Sequence, residues 1–159
     1  MSGALLANLG LLYAILVGVN IPAPFLGLDF GDSERRLAYE PPVYVIPLAW
    51  FVLFGLLGVA RYEVTRLDPR AVTRWLIVAL AVLCATYAYY TLGLAKLTGV
   101  SALWCGLGGN LLVIAAALAV ACAAGRDSAA AGVLVLPVAV WTAYATAIVI
   151  GQMRTNGLI

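Results

Sequence analysis

Tyr39-Glu40-Pro41-Pro42-Val43-Tyr44-Val45-Ile46-Pro47-Leu48-Ala49-Trp50 joins the most polar segment of the chain to a long apolar run. Pro41 and Pro42 cannot sit inside a helix, because each lacks the backbone N–H and its ring clashes with the turn before it. They also hold Glu40 extended. A helix therefore starts after them, with Pro42 near its first turn, where the missing N–H costs little. Pro47 follows among apolar residues and is expected to kink or loosen the helix near its start, freeing a carbonyl around Val43. Trp50 lies almost one turn deeper. Tyr39, Tyr44 and Trp50 around a loosened helix mouth suit a ligand entrance. They equally suit an anchor at the bilayer surface, where Trp and Tyr collect, and on composition alone the anchor is favoured.

Outward from this stretch, composition sets the class. Hydrophobic residues make up 65% and charged residues 10% of the 159 positions, and mean hydropathy is +1.06. This balance marks an integral, multi-pass membrane protein of helical type. Net charge is +2 with no basic run, so no nucleic-acid partner is expected. The chain has no histidine. That removes imidazole metal sites and His-based triads together. Cys84, Cys105 and Cys122 stand singly in apolar stretches without metal spacing and read as small packing residues. No metal site and no cofactor is expected.

Apolar runs of about 20 residues cross a bilayer core. Five are present, near 4–24, 43–62, 75–93, 101–124 and 129–152, and they predict one all-α bundle of five transmembrane helices over 1–159. The loop at 27–40 carries Asp29, Asp32, Glu34, Arg35, Arg36 and Glu40 and is either a solvated connector or a lid over the bundle mouth. Gly10, Gly18, Gly55 and Gly58 offer small surfaces for close helix contact. Gly106, Gly108 and Gly109 predict close packing or a distortion in the fourth span, and Pro137 an interruption in the fifth. Arg61, Arg66, Arg70, Arg74 and Arg126 fall at one end of the bundle, and Arg35, Arg36, Lys96 and Arg154 at the other. The positive-inside rule narrowly prefers the first end as cytoplasmic, in what is expected to be a prokaryotic cytoplasmic membrane.

Few residues suit chemistry. The intramembrane polar residues are Asn110 and threonines that can bond back to their own helix. No acid or base lies at membrane depth, which argues against a proton or ion pump. Pro137, Trp141 and Tyr144 share one helical face. With Trp50 and Phe54 they would line an apolar cavity with a few polar groups at its edge, as small-molecule sites do. An aromatic packing core explains the same residues as well.

Pro41-Pro42, Ile46-Pro47-Leu48-Ala49-Trp50 and Leu53-Phe54 resemble the second-helix signature of the translocator protein/tryptophan-rich sensory protein family (TspO/MBR), W-x-P-P-x-x-x-F-P-x-x-W-x-x-L-Y. Ala131-Gly132-Val133-Leu134, Pro137, Trp141, Ala145 and Asn156 resemble its fifth-helix pattern. The resemblance covers most of the chain. It implies a five-helix bundle, often homodimeric, with a cavity beneath the first loop that takes tetrapyrroles, sterols or other hydrophobic molecules. The resemblance also implies a role as receptor, sensor or carrier. By motif match, Pro47, Trp50 and Phe54 would form one cavity wall and Trp141 with Ala145 another; Tyr144 stands at an aromatic position, and Tyr39 replaces the family's first Trp.

Other departures bear on the ligand. Ala81, Val82, Ala85 and Ala88 fall where the family's third helix carries Gln, Leu and Asn before a Trp, and Ile148-Val149 replace Leu-Asn in the fifth. Fewer hydrogen-bonding groups suit a more apolar ligand than a porphyrin, such as an isoprenoid or sterol-like lipid. A second hypothesis is a membrane enzyme that protonates an isoprenoid substrate and steers the carbocation with aromatic faces, as in terpene cyclisation. Glu40, Asp29, Asp32 and Glu63 are its candidate acids. A third is a structural or assembly protein whose aromatics only anchor it.

Overall fold

A computed structural model describes residues 3–28 and 37–159. Helix α1 covers Gly3–Asn20, and a short α2 covers Pro22–Phe25; α3 is Val45–Leu67 and α4 Thr73–Ala85. A π-helical turn at Tyr89–Gly93 leads into α5, Leu94–Thr98; α6 is Ala102–Asp127 and α7 Ala129–Thr155. Among the described residues there is no strand. Four stretches are each long and apolar enough to cross a membrane, and Thr73–Ala85 with Tyr89–Thr98 forms a fifth span bent by 56°. The spans close into a ring in the order α1, α3, α7, α6, α4, with α3 reaching across to α4.

Local chemistry explains where the helices begin and end. Pro47 does not kink α3. The helix begins at Val45, so Pro47 lies within its first turn, where the missing N–H has no intrahelical partner in any case. At its other end α3 runs past the apolar stretch to Leu67, because charge ends a span without ending a helix. Arg66 pairs with Glu63 at 2.7 Å along the helix, and Thr65 donates back to the Arg61 carbonyl. Ser101 and Ser128 open α6 and α7, each accepting from a backbone N–H inside the first turn. Nor does Pro137 interrupt α7, which is helical throughout.

The third span is not the straight helix expected. Thr86 at its break donates from its hydroxyl to the carbonyls of Val82 and Leu83, at 2.9 and 3.0 Å, a bond that bends helices. The Ala85 carbonyl, left over at the break, accepts from Asn20 Nδ2 at 3.4 Å. Tyr89 then donates to the Val19 carbonyl at 2.7 Å and ties the second half of the span to the end of α1.

Small residues set the helix spacing, as expected in lipid, where packing rather than the hydrophobic effect draws helices together. A Cβ on Gly58 would come 3.2 Å from Leu9 Cα. One on Gly132 would come 2.8 Å from Gly125 Cα, so α6 and α7 touch backbone to backbone. Gly106 faces the Tyr87 hydroxyl and Gly109 the Tyr90 ring. A Cβ on Gly10 or Gly18, by contrast, would meet nothing within 4 Å among the described residues. The core within the ring is Leu12, Phe54, Leu57, Ile77, Val113, Ala117, Val135 and Val138, all buried.

Candidate functional site

Helices α3 and α7 run antiparallel and diverge enough to leave a groove of about 800 Å³ between them. One wall is Val45, Leu48, Ala49, Val52, Leu53 and Leu56; the other is Val133, Leu136, Pro137, Val140, Trp141 and Tyr144. Both walls follow helical spacing, because every third or fourth residue returns to the same side. Leu53 is buried and forms floor, while Val52 and Val140 are exposed at the rims. The groove therefore opens outward, towards lipid. Trp141 belongs both to it and to the packing around the core, and its ring leans on Tyr144 with centroids 5.6 Å apart.

Proline has a positional role here. Pro137 has no N–H to offer the Val133 carbonyl one turn earlier, and both residues line the groove. Its ring adds apolar surface in the middle of the α7 wall.

One end of the groove is latched. Tyr144 donates to the Tyr39 carbonyl at 2.6 Å, and the Tyr39 hydroxyl reaches the Ala147 carbonyl at 3.4 Å. Gly151 makes this possible, since a Cβ there would overlap the Tyr39 hydroxyl. Glu40 accepts from the Leu37 N–H at 3.3 Å and from Gln152 Nε2 at 3.4 Å. The end of the first loop is thus fastened along α7. Its beginning is fastened elsewhere: Lys96 on α5 donates to the Gly27 carbonyl, and Leu28 packs with Ala23 and Ala88.

The residues singled out from sequence divide between two faces of α3. Trp141 and Tyr144 line the groove together with Pro137. Trp50 and Phe54 turn to the bundle interior, edge to face with centroids 6.3 Å apart. Phe54 is fully buried and Trp50 partly buried against the same core. Pro47 is exposed at the start of α3, Ala145 is half-buried on α7, and Tyr39 forms the latch above the groove. Of the candidate acids, Glu40 belongs to the latch and Glu63 is paired with Arg66 at the far end of α3. Asp29 and Asp32, and most of the expected lid, lie outside the described residues. No acid among the described residues lines the groove, and none of them forms a metal-binding cluster.

Sequence reasoning missed Ala49, Val52, Leu53, Leu56, Leu136 and Val140 as wall residues. The signal was present as helical spacing from Val45 and from Pro137, but aliphatic residues on an apolar helix do not stand out. The alanines at the third-span positions where the family carries polar groups are packed away: Ala81, Ala85 and Ala88 are all buried.

An all-helical ring of five apolar spans with an aromatic-walled groove defines a multi-pass integral membrane protein. A family model, that of the TspO/MBR family, matches residues 7–154, and the chain belongs to that family. No curated protein matches it.

Proposed function

We propose that this TspO-like membrane protein binds a hydrophobic small molecule, of isoprenoid or sterol-like character, in the groove between α3 and α7, and works as a receptor or carrier for it. The observation that carries this reading is the groove itself. Its volume of about 800 Å³ suits a molecule of that size. Its walls are aliphatic and aromatic, with one hydroxyl, that of Tyr144, committed to the latch. A porphyrin's carboxylates would find no cation among the described wall residues, so an apolar ligand with at most a terminal polar group fits better. The open side allows entry from lipid, and the Tyr39–Tyr144 contact closes the end near the first loop. The homodimer implied by the family belongs to the same proposal, and the mass of the protein in detergent tests it.

Filling the groove tests the site without touching the core. Val52 and Val140 are 52% and 70% exposed, so Val52→Phe and Val140→Phe should fill the groove, leave folding intact and abolish quenching of tryptophan fluorescence by a nitroxide-labelled sterol. Undiminished affinity in the doubly substituted protein would refute the site. Conversion of the bound molecule, lost in Glu40→Gln, would instead support the acid-catalysed alternative.

A further inference from the structure

At the opposite end of the bundle from the latch, three helices bring together a cluster that the groove does not use. Arg61 comes from the last turns of α3, Arg74 and Trp75 from the first turn of α4, and Asn8 from α1. Both guanidinium carbons lie over the Trp75 ring, at 5.5 and 5.3 Å from its centroid. Arg61 donates from Nη1 to Asn8 Oδ1. Asn8 is buried, and its own amide nitrogen is spent on the Ala4 carbonyl at 2.7 Å, which fixes its oxygen towards the arginine.

Among the described residues neither Arg61 nor Arg74 forms an ion pair. The nearby carboxylates are engaged elsewhere: Glu63 with Arg66, and Asp68 with the Arg70 N–H at 2.8 Å. The Nε atoms of both arginines are buried and find no hydrogen-bond partner among the described residues. Two like charges gathered on one indole, with donors left over, are costly unless a negative group completes the set. A phosphate does so: its oxygens match the guanidinium fork and accept several charge-assisted hydrogen bonds.

The position selects the source of that phosphate. The cluster lies at the end of the apolar spans, where headgroups lie. Trp75 is 54% exposed, and Leu76 beside it is 40% exposed, so apolar surface adjoins the charges. Arg66, Arg70 and Arg126 fall at the same end and favour an anionic membrane surface. We propose that Arg61 and Arg74, held over Trp75, bind the phosphate of an anionic phospholipid headgroup. Asn8 orients Arg61, and the indole takes the upper part of the acyl chains.

Thermal unfolding of the full chain in a neutral detergent tests this, with phosphatidylglycerol, phosphatidylcholine or inorganic phosphate added. Phosphatidylglycerol should raise Tm, and its apparent Kd should weaken about tenfold in Arg74→Gln, corresponding to one lost charge-assisted contact. Arg154→Gln, in the last turn of α7 at the opposite end of the bundle, should leave the Kd unchanged. Arg74→Lys keeps the charge without the fork and should fall between. If Arg61→Gln disturbs the contact with α1, the Arg74 variants still carry the test. Equal stabilisation of the wild type and Arg74→Gln, or by phosphatidylcholine, would overturn the proposal. A shift by inorganic phosphate equal to that of the lipid would assign a free anion and overturn the headgroup.

Discussion

Tyr144→Phe removes one oxygen and leaves the aromatic wall of the groove in place, so it isolates the latch. The hydroxyl donates to the Tyr39 carbonyl at 2.6 Å, and a second, longer hydrogen bond runs from the Tyr39 hydroxyl to the Ala147 carbonyl at 3.4 Å. One good hydrogen bond contributes about 0.5–1.5 kcal/mol net. Its loss should raise the open fraction of the latch by about 2- to 13-fold. The readout is amide hydrogen exchange at Glu40, whose N–H bonds to the Leu37 carbonyl at 2.9 Å within the latched turn. Exchange there should speed up by the same factor, while amides in the middle of α3 and α6 stay as they were. Gly151→Ala should do the same by a different route, because its Cβ would come 2.7 Å from Leu37 Cδ1 and displace the Tyr39 ring. Unchanged Glu40 exchange in both variants would refute the latch.

Other substitutions separate packing from binding. Phe54→Ala empties a fully buried site and should destabilise the bundle by about 3–5 kcal/mol in a denaturant titration, whereas Trp141→Ala should cost less and remove ligand quenching. Gly132→Val pushes a side chain against Gly125 Cα and the Ala121 carbonyl, backbone atoms that cannot turn aside. It should destabilise by about 1–3 kcal/mol; a wild-type Tm would show that α6 and α7 are less closely packed than described. Thr86→Val deletes the back-bond at the break of the third span and should reduce the bend, read as a change in spin-label distance between Leu76 and Leu97.

Most of the fold was legible because hydropathy and helix breakers act locally. The apolar runs and the Pro41-Pro42 stop depend on neighbours in sequence. What was not legible depends on partners far away. Thr86 looks like any helical threonine until Asn20 takes the Ala85 carbonyl at the break. Pro47 reads as a kink unless the helix is known to begin only at Val45. The glycines of the fourth span announced close packing, but Tyr87 and Tyr90 as the groups that fill the space were hidden. For the site, the shared face of Pro137, Trp141 and Tyr144 was legible from spacing alone. The rotation of α3 was not: a turn of about 100° per residue decides whether Trp50 or Val52 faces α7, and only packing against α1 and α4 fixes it. Arg61 and Arg74 were visible only as span-end charges, because Trp75 and Asn8 meet them through the fold.

The proposed function stands on a hydrophobic ligand occupying the groove between α3 and α7. Photo-crosslinking with a diazirine-bearing isoprenoid alcohol, followed by peptide mapping, tests it most directly. Labelling is expected at Val52, Leu56, Val140 and Trp141, competed by unlabelled alcohol. Competed labelling confined to Trp50 and Phe54, or to the smaller groove at Leu76 and Ala119 between α4 and α6, would contradict it.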